Sequence, residues 1–107
     1  MIPQGVEVYV ATMPVDMRFG FERLGGVVRE RMKCEPRTRK ALFVFLGKRR
    51  HTMKVLWWDG TGTVLVSKRL DRGLFEFPRG DAAGDSSVVI SETEFEAMFA
   101  GVWTLLH

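Results

Sequence analysis

The chain has one cysteine, Cys34, and two histidines, His51 and His107, in 107 residues. A lone cysteine excludes an internal disulfide and fits a reducing compartment. Three such residues, so widely scattered, give no zinc-ligand spacing. No apolar run approaches the roughly 20 residues of a membrane span. The opening MIPQGVEVYV lacks the basic start and long apolar stretch of a signal peptide. The cytoplasm is therefore the expected location. Positive charge is also missing at one end: residues 81–107 carry 5 Asp/Glu and no Lys or Arg. Residues 1–54 carry 12 Lys/Arg against 5 Asp/Glu, and residues 55–80 carry 4 against 3. The net charge of +3 thus hides a basic body and an acidic tail. Such a chain can bind polyanions, or its tail can fold back and neutralise its body.

What is present describes a soluble globular domain, with 46% apolar and 27% charged residues. Residues 1–107 are long enough for one domain with one core. Val6, Val8 and Val10 alternate with Glu7, Tyr9 and Ala11, which predicts a strand ended by Pro14. Asp16 is a candidate N-cap or first-turn residue for a helix over 16–33. Met17, Phe21, Leu24, Val28 and Met32 form its apolar stripe, and Arg18 and Glu22 make an i,i+4 pair on the other side. Gly25-Gly26 allows a close approach or marks a break.

Strands follow at ALFVFLG (41–47), MKVLWWD (53–59), TVLVSKRL (63–70) and LFEFP (74–78), with VVI (88–90) a candidate last one. The short connections favour an antiparallel meander over βαβ crossovers. RGDAAGDSS (79–87) reads as a loop, and Ser91-Glu92-Thr93-Glu94 as a capping box opening a helix with Phe95, Met98, Phe99 and Val102 on one face. The expected fold is α+β: an antiparallel β-meander of about four to six strands, with a helix after the first strand and a C-terminal helix.

Trp57 and Trp58 stand side by side in the third of these strands, so they point to opposite faces. With an even-numbered loop centred at 59–60 or 60–61, Val55 and Trp57 share a face with Val64 and Val66, the expected core. Lys54, Leu56 and Trp58 then share the other face with Thr63, Leu65, Ser67 and Arg69. Trp58 is either packed beneath a helix or a half-exposed platform for a base or a protein partner. Lys48, Arg49 and Arg50, with Lys54 nearby, form a basic cluster that phosphates would satisfy, or a solvated turn that blocks edge pairing. Lys68, Arg69 and Arg72 extend the same candidate surface.

No catalytic constellation stands out. Asp16, Glu22, Asp59, Asp71 and Glu76 have neither metal-ligand spacing nor a neighbouring histidine. The serines lack a nucleophile-elbow context, and Gly60-Thr61-Gly62 lacks the ending of a phosphate loop. No cofactor is expected, and a metal-dependent nuclease using Asp59 or Asp71 is the least favoured reading.

KVLWWDGTG (54–62) followed by KRLDRGLFEFP (68–78), with DMRFGFERL (16–24), LFVF (42–45) and SETEFEAMFAG (91–101), resembles the small accessory protein of the bacterial insertion sequence 66 transposon family. The resemblance spans nearly the whole chain. It implies an element-encoded protein that works beside a separate, larger transposase bearing the catalytic triad, so this chain would not perform strand transfer itself. Two positions depart from the family pattern: Phe19, commonly basic, and Leu46, commonly polar or basic.

Two functions of different kind follow. In the first, Lys48, Arg49, Arg50, Lys54, Lys68, Arg69 and Arg72 contact phosphates of the element ends, with Trp58 stacking or wedging. In the second, the face around Trp58 and Leu65, or the acidic terminal helix, docks on the transposase or another element-encoded protein. An exposed strand edge would also offer a route to a homodimer.

Overall fold

The structure is a computed structural model that describes residues 3–77 and 85–102. Its centre is a five-stranded sheet in the order β4-β3-β2-β1-β5. The strands are β1 (Glu7–Ala11), β2 (Ala41–Leu46), β3 (Thr52–Trp58), β4 (Thr63–Arg69) and β5 (Ser87–Ile90). Helix α1 (Phe21–Glu30) connects β1 to β2, and α2 (Glu92–Phe99) follows β5. The antiparallel hairpins β2-β3-β4 are the expected meander. β1 corrects the purely antiparallel expectation: it lies parallel to β2, with Val8 opposite Leu42, and antiparallel to β5, with Val8 opposite Ile90. The sheet is mixed because α1 carries the chain back to the starting end, a βαβ crossover.

Both faces are buried, so β2 is apolar at every position and each of its six residues is buried. One face joins Val8, Val10, Leu42, Val44, Leu46, Met53, Val55 and Trp57 to Phe95 and Met98 of α2. The other joins Phe43, Phe45 and Leu56 to Leu24, Val27, Val28 and Met32 of α1 and the following turn. Burying each such side chain contributes roughly 1.5–3 kcal/mol relative to exposure.

α1 is shorter than the predicted 16–33. It starts after Gly20, which gives no side-chain cap, and its last helical residue is Glu30. Asp16 is not the cap. Its carboxylate accepts the backbone N–H of Arg18 at 2.9 Å and pairs with the Arg18 guanidinium at 2.7 Å, closing a turn ahead of the helix. Arg18 thus takes Asp16 as partner in place of Glu22, and Met17 lies outside the helix. Phe21, expected on the buried stripe, is 53% exposed. The helix runs unbroken through Gly25-Gly26.

The α2 capping box is formed: Ser91 Oγ accepts the Glu94 N–H, and Glu94 Oε1 accepts the Ser91 N–H, each at 3.0 Å. Phe95 and Met98 are buried; Val102 lies past the helix end and is exposed. LFEFP is not a strand over its described part, 74–77. A single backbone bond, Phe75 N–H to the Arg50 carbonyl at 2.8 Å, tethers it while Phe75 enters the core. Residues 78–84, with Pro78 and most of the predicted RGDAAGDSS loop, lie outside the described residues.

Candidate nucleic-acid interface

The β3–β4 register pairs Val55 with Val66, Trp57 with Val64 and Trp58 with Thr63. This is the even-numbered loop centred at 60–61, so the two tryptophans sort as the alternation predicts. Trp57 is 4% exposed in the α2-side core. Trp58 is half-buried on the opposite face, and the Arg39 guanidinium sits 6.0 Å from its ring centroid. Arg39 can reach it because Gly60, at φ +97°, leaves the hairpin tip open; a Cβ there would collide with the guanidinium. Asp59 holds the tip, accepting the Thr61 N–H at 2.8 Å, the Thr61 hydroxyl at 2.8 Å and the Gly62 N–H at 2.9 Å. The first of these bonds, then the others, lower its carboxyl below the usual carboxylate range.

The predicted cations divide into three groups. Lys48, Arg49, Arg50 and Arg69 line one cleft of about 560 Å³, together with Pro14, Val15 and Met17. The cleft lies at the carboxyl ends of the parallel pair β1 and β2, where open α/β sheets bind ligands. The 12–20 connection supplies one wall and the β2–β3 turn the other. Arg72 occupies the loop following β4, at the same end of the sheet and exposed. Lys54 and Lys68 serve the fold. Lys54 Nζ donates to the Phe19 carbonyl at 2.9 Å, fastening the chain before α1 to β3. Lys68 lies on the opposite face, where Nζ donates to the Phe99 carbonyl at 2.6 Å and sits 4.4 Å from the Phe99 ring centroid. It compensates the α2 C-terminus, whose last turn holds no basic residue.

The cleft walls are fixed by backbone bonds. Val15 N–H donates to the Leu46 carbonyl at 3.0 Å, Leu70 N–H to the His51 carbonyl at 3.0 Å, and Phe75 N–H to Arg50 as above. Arg50 adopts the left-handed conformation at φ +59° and pairs with Glu76 at 3.4 Å. Among the described residues no carboxylate lies within ion-pair distance of Lys48, Arg49, Arg69 or Arg72. Asp16, which also lines the cleft, is compensated by Arg18, whose side-chain and backbone hydrogen bonds hold its carboxyl at about 2.

Trp58 is at the other end of β3 from this cluster, about 20 Å from Thr52 along the strand. The indole and the basic cleft are therefore separate features of one face, with Lys54 between them. Of the two departing positions, Leu46 is sealed in the core and Phe19 is half-buried with Arg23 over its ring at 5.2 Å. Leu46 is thus no phosphate contact. Among the described residues no three His, Cys, Asp or Glu lie close enough to hold a metal ion, and no helix is long and apolar enough to cross a membrane. The apolar wall Pro14, Val15 and Met17, the Gly47 on which Met17 rests and the Arg39–Trp58 contact were not singled out from the sequence. The cleft follows from the parallel pairing of β1 with β2, which no local pattern in the sequence marks.

Three comparisons with known proteins bear on this arrangement. The family described as IS66 Orf2 like protein matches residues 6–105. The uncharacterized protein y4hO of Sinorhizobium fredii (strain NBRC 101917 / NGR234) is 39% identical over 104 residues, covering 95% of this chain and 87% of its own length. The uncharacterized protein y4jC of the same strain is 35% identical over 102 residues, covering 94% and 84%. No solved structure matches.

Proposed function

The chain belongs to the IS66 Orf2 like protein family, and from that premise we propose that it is a non-catalytic accessory protein of DNA transposition. In this reading it binds element DNA through the basic end of its sheet. The observation that carries the proposal is the convergence of Lys48, Arg49, Arg50 and Arg69 on one rigid cleft. Among the described residues Lys48, Arg49 and Arg69 have no carboxylate partner; cations held together in this way repel one another, and phosphate oxygens relieve that repulsion while Arg offers a bidentate fork. Arg72 extends the surface. Lys54 and Lys68, bonded to main-chain carbonyls, contribute through folding.

Binding to duplexes carrying the element's terminal repeats, measured by anisotropy across a salt series, tests the proposal. Affinity should fall with a log–log slope of about −0.9 per phosphate contact. The double substitution Lys48→Ala with Arg49→Ala should flatten that slope by about 1.8. Folded protein that binds no duplex at low salt, or a slope unmoved by the substitutions, removes it.

A second reading is favoured by the other end of the same face. Phe21, 53% exposed, helps line a smaller groove with Leu56 and Thr63, next to half-buried Trp58. Aromatic anchors of this kind suit a protein partner, here the separate transposase. Retention by immobilised transposase that drops with Trp58→Ala and not with the Lys48, Arg49 double variant supports an adaptor. The opposite pattern discards it.

A further inference from the structure

We propose that the cleft at the carboxyl ends of β1 and β2 receives one unpaired nucleotide at a DNA strand end. Its base would lie against Pro14, Val15 and Met17, and its phosphate against Lys48, Arg49 and Arg69. The inference rests on the DNA-binding reading and narrows it from the flank of a duplex to an end.

Shape is the first argument. A convex duplex flank can touch cations on the rim of a concavity but cannot fill it. The cleft holds about 560 Å³, within the range of about 300–1,000 Å³ typical of cavities that enclose small ligands. Chemistry is the second. One wall is apolar apart from Asp16, the other is mainly cationic, and a nucleotide is divided in a similar way, into a flat base and an anionic phosphate. A sulfate-sized anion would leave the apolar wall without a partner, and an apolar molecule would leave the cations without one. The carboxylate lining the cleft, Asp16, is tied to Arg18 at 2.7 Å, so its charge is compensated locally. Rigidity is the third. The 12–20 wall is pinned to β2 through Val15 and Leu46, and the turn is pinned through His51 to Leu70 and Arg50 to Phe75. A site held this firmly loses little conformational freedom on binding.

Two fluorescent probes of one sequence distinguish this inference from the reading beneath it. The first is a covalently closed dumbbell duplex without ends. The second is the same duplex opened to give a short unpaired, terminally phosphorylated overhang. The open probe should bind about tenfold more tightly, within the range for stacking of one base. Met17→Trp, which fills the cleft, should abolish that gain. Gly47→Ala is the second variant. A Cβ there would come within 2.6 Å of Met17 Cγ, so Met17 must shift and the apolar wall changes shape with no cation replaced. Circular dichroism checks that each variant is folded.

Dumbbell binding with no gain for the open probe overturns the cleft assignment and leaves the DNA-binding reading standing. A gain that survives in a folded cleft-filling variant also overturns it. Binding of the open probe alone supports the assignment and confines DNA binding to strand ends. Failure of both probes at low salt removes both readings. Displacement of the overhang by an equal concentration of deoxyadenosine monophosphate would reassign the cleft to free nucleotide and overturn the strand-end inference.

Discussion

Trp57 and Trp58 are one bond apart in sequence and differ in what their removal would cost. Trp57 is buried in the core on the α2 side of the sheet, with Val55, Phe95 and Met98 as fellow members. Trp57→Ala should destabilise by about 3–5 kcal/mol, as truncation of large buried aromatics does. Trp58, shielded on one side by Arg39, should cost about 1 kcal/mol, near the centre of the mutational distribution. Urea denaturation of the two variants checks the order, and a larger loss at Trp58 would contradict its half-buried position. That the two point to opposite faces was legible in the sequence; how far Trp58 is covered was not. Asp59-Gly60 marked the turn, and strict alternation on both sides fixed which side chains share a face. The partners of Lys54 and Lys68 were not legible. Their acceptors are main-chain carbonyls of Phe19 and Phe99, and any residue supplies a carbonyl, so composition carries no trace of them. Arg18 was misassigned for a related reason: pairing with Glu22 needs both residues in one helix, and α1 starts at Phe21.

At the scale of elements, the two helices start in different ways. α2 has a reciprocal capping box between Ser91 and Glu94, whereas α1 starts from Gly20 with no side-chain cap. Ser91→Ala removes the hydroxyl that accepts the Glu94 N–H and should cost about 1 kcal/mol. Chemical denaturation checks this, and an unchanged midpoint would mean that water replaces the serine at no cost. The capping box was readable because its signal is local: two residues three positions apart. The start of α1 was not, because it depends on a tight turn at residues 17–18 that Asp16 closes with Arg18. The expected strand at 74–78 fails for the opposite reason. Its alternating apolar residues mimic a strand, but they serve to insert Phe75 into the core beside β2 and β3.

For the molecule as a whole, the parallel pairing of β1 and β2 is what creates the cleft, and it was the part of the topology least available from sequence. Short polar links after residue 40 argue correctly for hairpins, but nothing local specifies that α1 returns the chain so that β2 runs alongside β1. The result is a sheet buried on both faces at its centre and open at two edges, β4 and β5. Backbone amides in β2, with every side chain buried and a strand on each side, should exchange with solvent most slowly. The outward amides of β4 and β5 should exchange first. Hydrogen exchange followed by NMR checks the ranking, and fast exchange in β2 would be incompatible with its central place.

One neighbour of β1 is supplied by residues 41–46 and the other only by residues 87–90. On the ribosome, therefore, an interior strand waits with one side bare until most of the chain has emerged. A premature stop codon anywhere before β5 would leave that side permanently unpaired, and the valines of β1 without the lid that α2 provides. Such fragments are expected to self-associate through the bare strand. A truncated gene copy would then yield insoluble material, with no weakened but competent protein left to interfere with the intact one.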